Sequence, residues 1–129
     1  IDTIYGGFKG APKFPMPNSL DFLLRYGYQF KDTKVAAYLN NTLTKIAYGG
    51  IYDPIAGGFS RYAVDEKWHI PHFEKMLYDN AQLVSIYSKA YIFKPSFDLL
   101  INLIFFFNRL SDIAAEAIPP IAPIPLPIA

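Results

Sequence analysis

Apolar residues recur at helical spacing in four stretches of this chain, separated by segments that lack that period. Leu20, Leu23, Leu24 and Tyr28 fall on one face of a helix that Asn18 or Ser19 can cap and that runs to about Phe30. Gly27 within it costs about 1 kcal/mol relative to alanine, which favours an early end. Asp32 is placed to cap a second helix, with Val35, Leu39, Leu43 and Ile46 on one face and Gly49 as its stop. The two read as a helical hairpin. Behind Pro71, a third helix is predicted from about His72 to Phe93, with Phe73, Met76, Leu77, Ala81, Val84, Tyr87 and Tyr91 as its apolar face. Residues 96–117 predict a fourth, apolar nearly all round. Its core from Leu99 to Phe107 is shorter than the roughly 20 apolar residues that cross a bilayer. A buried helix is expected there, or a face for homo-oligomerisation, and not a membrane span.

The segments between these helices divide the chain further. Residues 1–17 hold Gly6, Gly7, Gly10, Pro12, Pro15 and Pro17, which predicts an irregular opening loop. Residues 118–129 carry a proline at every second or third position, which suits extended polyproline II. Residues 18–117 form the expected helical domain. Within it lies the stretch Gly49 to Asn80, which is neither helix nor tail up to Pro71. Phe59, Arg61, Ala63 and Asp65 alternate there with Ser60, Tyr62, Val64 and Glu66, which predicts a short β-hairpin near residues 57–70, turning at Asp65-Glu66-Lys67. The expected fold class is mainly all-α, with two helical hairpins in succession and a glycine-rich insert.

Composition narrows the function classes. Hydrophobic residues make up 52% and the formal net charge is +1, so a real core is expected and no basic surface for nucleic acid. With no cysteine, thiolate metal sites and cysteine catalysis are excluded within this chain. The start lacks a basic region followed by an apolar run, so no signal peptide is read and a cytoplasmic location is expected. A first residue other than methionine suggests a fragment.

The chemistry-bearing residues gather in the insert. It holds both histidines and the single tryptophan. His69 and His72 are three apart, but Pro71 breaks the helix that would align them, and a zinc site needs further ligands, so no metal is expected. No phosphate loop, dinucleotide fingerprint or G-x-S-x-G elbow occurs, and no cofactor is expected. What remains is an acid/base set. His72, Lys75 and Asp79 would share one face at the start of the third helix. His72 is a natural proton shuttle, and Asp53, Asp65 and Glu74 supply carboxylates. Arg61 offers a planar fork for hydroxyls or a carboxylate. Tyr52, Tyr62 and Trp68 could stack on a sugar face. Lys13, framed by Pro12 and Phe14, is read as a solvated loop lysine or a ligand contact.

The runs GGFKGAPKFP, GGIYDPIAGGFSRYAVDEKW and PHFEKMLYDNAQL closely resemble the YyaL / spermatogenesis-associated protein 20 family over about residues 4–92. That resemblance implies a position just after a thioredoxin-like domain, at the opening of an (α/α)6 toroid similar to N-acylglucosamine 2-epimerases and six-hairpin glycosidases. It implies that Lys13, Asp53, Arg61, Tyr62, Asp65, Trp68, His72, Glu74, Lys75, Asp79 and Asn80 line the toroid mouth. Two hairpins of about six would be present. Ser60 stands where the family usually has His, in GGFHRY, and Lys9 where it usually has Gly. The expected function is carbohydrate binding, or sugar isomerisation or hydrolysis, with His72, Glu74 and Asp65 as the acid/base groups. The alternative is a non-catalytic scaffold that docks the thioredoxin-like domain.

Overall fold

The computed structural model describes residues 1–93. The predicted fourth helix and the proline-rich stretch lie outside them. Among the described residues there are three helices, α1 (Pro17–Phe30), α2 (Thr33–Ala47) and α3 (Leu77–Phe93). These described residues are mainly helical, without a sheet. No described helix is long and apolar enough to cross a membrane.

The hairpin forms much as its pattern requires. α1 starts one residue before the expected caps. Pro17 occupies its first turn behind a left-handed Met16, and no side chain caps it. Proline suits that position because its missing N–H has no intrahelical partner there. Gly27 does not end the helix. It is buried where α1 meets α2, and a Cβ there would approach Val35 Cγ1 to 3.2 Å. The residue that costs helix propensity thus gains a close helix–helix approach. Asp32 caps α2 as expected, its Oδ1 accepting from the amides of Lys34 and Val35 at 2.9 and 3.2 Å.

α3 differs in start and in face. It begins at Leu77, five residues after the predicted start, and buries Leu83, Ile86, Tyr87 and Ala90. Phe73 and Leu77, assigned to its apolar face, are 92% and 83% exposed. Apolar residues surround this helix, so periodicity alone could not select the packed face. α3 packs on α1 and is tied to α2 by the Tyr87 hydroxyl, which donates to the Leu43 carbonyl at 2.7 Å. Leu20, Leu24, Leu39, Leu43, Ile46, Leu83 and Ile86 make the shared core, which extends into the insert through Ile51, Phe59, Ala63 and Trp68.

Candidate functional site

The insert between α2 and α3 is built from two small loops, with the opening segment around Lys13 laid against the second. The first loop closes where Tyr52 bridges Phe59. Asp53 turns it, its Oδ1 accepting from the amides of Ile55 and Ala56 at 2.9 and 3.0 Å. Gly57 and Gly58 both take positive φ, 74° and 81°, to bring the chain back. Lys75 then pins the loop, donating to Asp53 Oδ2 at 2.6 Å and to the Gly57 carbonyl at 2.8 Å. The lysine bond and the two amides together hold the Asp53 carboxyl well below its usual range, at about 2.

The second loop is the predicted hairpin reduced to isolated bridges. Arms 61–64 and 70–74 pair through Val64 N–H to the Ile70 carbonyl (2.8 Å), His72 N–H to Tyr62 (3.0 Å) and Arg61 N–H to Glu74 (2.9 Å). Lys13 pairs with the other edge of Ala63 in both directions, at 2.8 and 2.9 Å. This pairing is why α3 starts late. Backbone groups of residues 72–74 are engaged by the facing arm, so they are not free to close a first helical turn. His72 and Lys75 therefore do not share a helix face with Asp79, contrary to the expectation.

The turn at 65–69 is held by Asp65, whose carboxylate accepts from the amides of Lys67 (2.6 Å), His69 (3.2 Å) and Ile70 (2.5 Å). Partial burial alone would raise this carboxyl, and the amides outweigh it and lower it. Asp65 is thereby occupied as a turn cap and is not placed as an acid/base group. Trp68, in the left-handed region at φ 68°, points inward. It is fully buried and its Nε1 donates to the Tyr5 carbonyl at 2.8 Å. It braces the fold and has no free face for stacking on a sugar.

Lys13 is likewise interior. Its side chain is 1% exposed and donates to Asp2 Oδ2 at 2.7 Å and to the Glu66 carbonyl at 2.8 Å. The ammonium also lies 5.4 Å from the Trp68 ring centre and 5.8 Å from that of Tyr5. Burial alone would raise the Asp2 carboxyl, but Lys13 and the amides of Tyr5 and Ile4 outweigh that and lower it. Two more bonds fasten this opening strap to α2. Tyr38 donates its hydroxyl to the Gly7 carbonyl at 2.8 Å, and the Gly7 amide donates to Thr42 Oγ1 at 3.0 Å. Asn80 also serves the framework. Its side-chain amide accepts from Phe59 N–H and donates to the Phe59 and Met76 carbonyls. Ser60 is buried as well, 6% exposed.

Five of the anticipated residues do converge on one surface. Arg61 Nη1 lies 3.6 Å from Glu74 Oε1, and its Nε lies 3.8 Å from Asp79 Oδ2. His72 Nδ1 lies 3.6 Å from the same Glu74 oxygen. These are ion-pair distances, longer than hydrogen bonds, so the lone pairs and N–H groups keep room for an incoming donor or acceptor. Burial pushes the Asp79 carboxyl above its ordinary value; Arg61 opposes that shift and the Glu74 charge adds to it. Beside this cluster the rings of Phe14, Tyr62 and His72 form a continuous stack, with centroids 4.6 and 4.5 Å apart. Phe14 was not anticipated. The signal for it is the alternation around Lys13: where that side chain turns in, its neighbour turns out.

Among the described residues no group of three histidine, aspartate or glutamate side chains could hold a metal ion. A cavity of about 620 Å³ opens elsewhere, between α1, α2 and the end of α3, lined by Leu24, Tyr28, Leu39, Leu43, Ala90 and Phe93 among others. Its one acid, Asp32, is already spent on capping α2. It offers no chemistry comparable with the Arg61 cluster.

Fold and site together define a class: a mainly helical domain whose first hairpin carries a polar, aromatic-backed insert. No protein-family model matches the chain. It is 48% identical over 94 residues, 70% of its length, to spermatogenesis-associated protein 20 of Mus musculus and of Homo sapiens. It is also 48% identical over 92 residues, 68% of its length, to an uncharacterised protein of Caenorhabditis elegans. The chain belongs to the spermatogenesis-associated protein 20 family. It spans only 12–13% of the length of these relatives.

Proposed function

We propose that this chain supplies part of the ligand-facing rim of a carbohydrate-binding or sugar-isomerising domain, an α/α toroid in the full-length protein. The observation that carries this reading is the Arg61–Glu74–Asp79–His72 cluster set beside the Phe14–Tyr62–His72 ring stack. Exposed aromatic surface such as that of Phe14 suits the apolar face of a pyranose, and carboxylate and imidazole sites suit its hydroxyls. Glu74 orients His72 as a proton shuttle, and Arg61 positions the Glu74 and Asp79 carboxylates to accept from sugar hydroxyls. Hydrolysis is less well supported than isomerisation. Glycosidic cleavage needs two carboxylates on opposite sides of the scissile bond, whereas Glu74 and Asp79 flank a single guanidinium. Asp65, committed to the turn amides, has no part in this scheme.

A thermal-shift panel of neutral monosaccharides tests the reading. For a Kd of about 1 mM, 10 mM sugar stabilises the folded chain by about 1.4 kcal/mol, and Arg61→Ala and His72→Ala abolish the shift. A panel without any shift would refute carbohydrate binding. It would favour the second reading, a scaffold that docks a thioredoxin-like domain. That reading draws on the exposed aromatic ladder Phe22, Tyr26 and Phe30 along α1, whose successive centroids are 6.3 and 4.8 Å apart.

A further inference from the structure

We infer that the rim selects neutral hydroxylated rings and rejects acidic sugars; this rests on the carbohydrate reading above and adds the charge class of its ligand. The guanidinium that a uronate carboxylate would need is already shared. Arg61 reaches Glu74 through Nη1 and Asp79 through Nε, so both usable edges of its fork face protein carboxylates. One positive charge against two negative charges leaves these three side chains at −1. An acidic sugar would bring a third negative charge to one guanidinium and would meet the repulsion of both carboxylates already beside it. A neutral ring meets no such barrier. At 3.6 and 3.8 Å the carboxylate oxygens are not tied into short bonds with Arg61, so they can accept from sugar hydroxyls without first breaking one. Neither neighbouring lysine is placed to compensate. Lys75 is committed to Asp53 and the Gly57 carbonyl, and Lys13 is sealed against Asp2. The nearby Phe14 and Tyr62 rings add contact area that is indifferent to charge.

The test is a calorimetric titration of the chain with glucose and with glucuronate, at 20 and 300 mM NaCl. The expected result is glucose binding that changes less than twofold with salt, and glucuronate binding at least fivefold weaker at low salt, with the gap narrowing as salt screens the repulsion. Glu74→Gln and Asp79→Asn preserve side-chain shape and each remove one negative charge. Each is expected to reduce the discrimination against glucuronate by about fivefold, the scale of one charge at ion-pair distance in water. Glucuronate binding as tightly as glucose would overturn the charge-class inference and leave the carbohydrate reading standing. Binding of neither sugar would overturn both.

Discussion

Asp2 and Lys13 form an ion pair whose two single variants should differ in cost, and whose double variant should be milder than their sum. With the Lys13 and Asp2 side chains 1% and 10% exposed, neither charge can rehydrate without the opening strap lifting off. Asp2→Asn leaves a buried ammonium with only the Glu66 carbonyl and two ring faces. Removing one partner of a buried pair costs about 3–5 kcal/mol, and the retained carbonyl places this case near 3. Lys13→Met removes the cation while Asp2 keeps the amides of Ile4 and Tyr5 at 3.0 and 2.9 Å. Its cost should be about 2 kcal/mol, that of a lost charge-assisted bond with the methylene packing retained. The double variant has no stranded cation and should cost about 2–3 kcal/mol rather than the additive 5, a coupling of about 2. Urea unfolding followed by the fluorescence of Trp68, the single tryptophan, and by far-UV circular dichroism measures all four corners. Asp2→Asn within 1 kcal/mol of the parent, or strict additivity, would refute the sealed-pair account.

Three further outcomes follow from the same geometry. The folded-state pKa of Asp53, about 2 against an ordinary 3.8, is depressed, so its contribution is complete above about pH 4 and is lost as pH falls towards 2. Acid unfolding of Asp53→Asn should be less steep in that window than that of the parent. Gly50→Ala should cost about 3 kcal/mol by overpacking, because a Cβ there would overlap the His69 carbonyl oxygen, and chemical denaturation reads it directly. Carboxyl NMR titration should find Asp79 above its ordinary 3.8, lower in Glu74→Gln and higher in Arg61→Leu.

The helical hairpin was legible because its determinants are local. Leu39, Leu43 and Ile46 repeat at helical spacing and are buried, and Asp32 caps the next residues in sequence. The turn at 65–67 was legible for the same reason. What escaped depends on distant partners. Trp68 reads as an exposed aromatic in a polar run, and only the Tyr5 carbonyl, 63 residues away, explains its burial. Lys13 finds the Glu66 carbonyl 53 residues away. Pro71 looked like a helix start, but pairing with the Tyr62 arm keeps the chain extended until Leu77. Of the candidate site, residue identities were readable for Arg61, Tyr62, His72, Glu74 and Asp79. Their separation from the structural set was not, since only contacts show which carboxylates are already saturated.

The strap has a consequence for synthesis. Its bonds join residues made early in this stretch to residues made much later: Tyr5 to Trp68, and Lys13 to Glu66. At about 5–20 residues per second, the Tyr5 carbonyl waits roughly 3–13 s on the ribosome before its indole partner is even polymerised. Through that interval Asp2 and Lys13 stay hydrated, so expelling their water comes at the end of assembly. A chaperone acting on this nascent chain would find its opening there, at the unfastened strap, while the α1–α2 hairpin could already close without it.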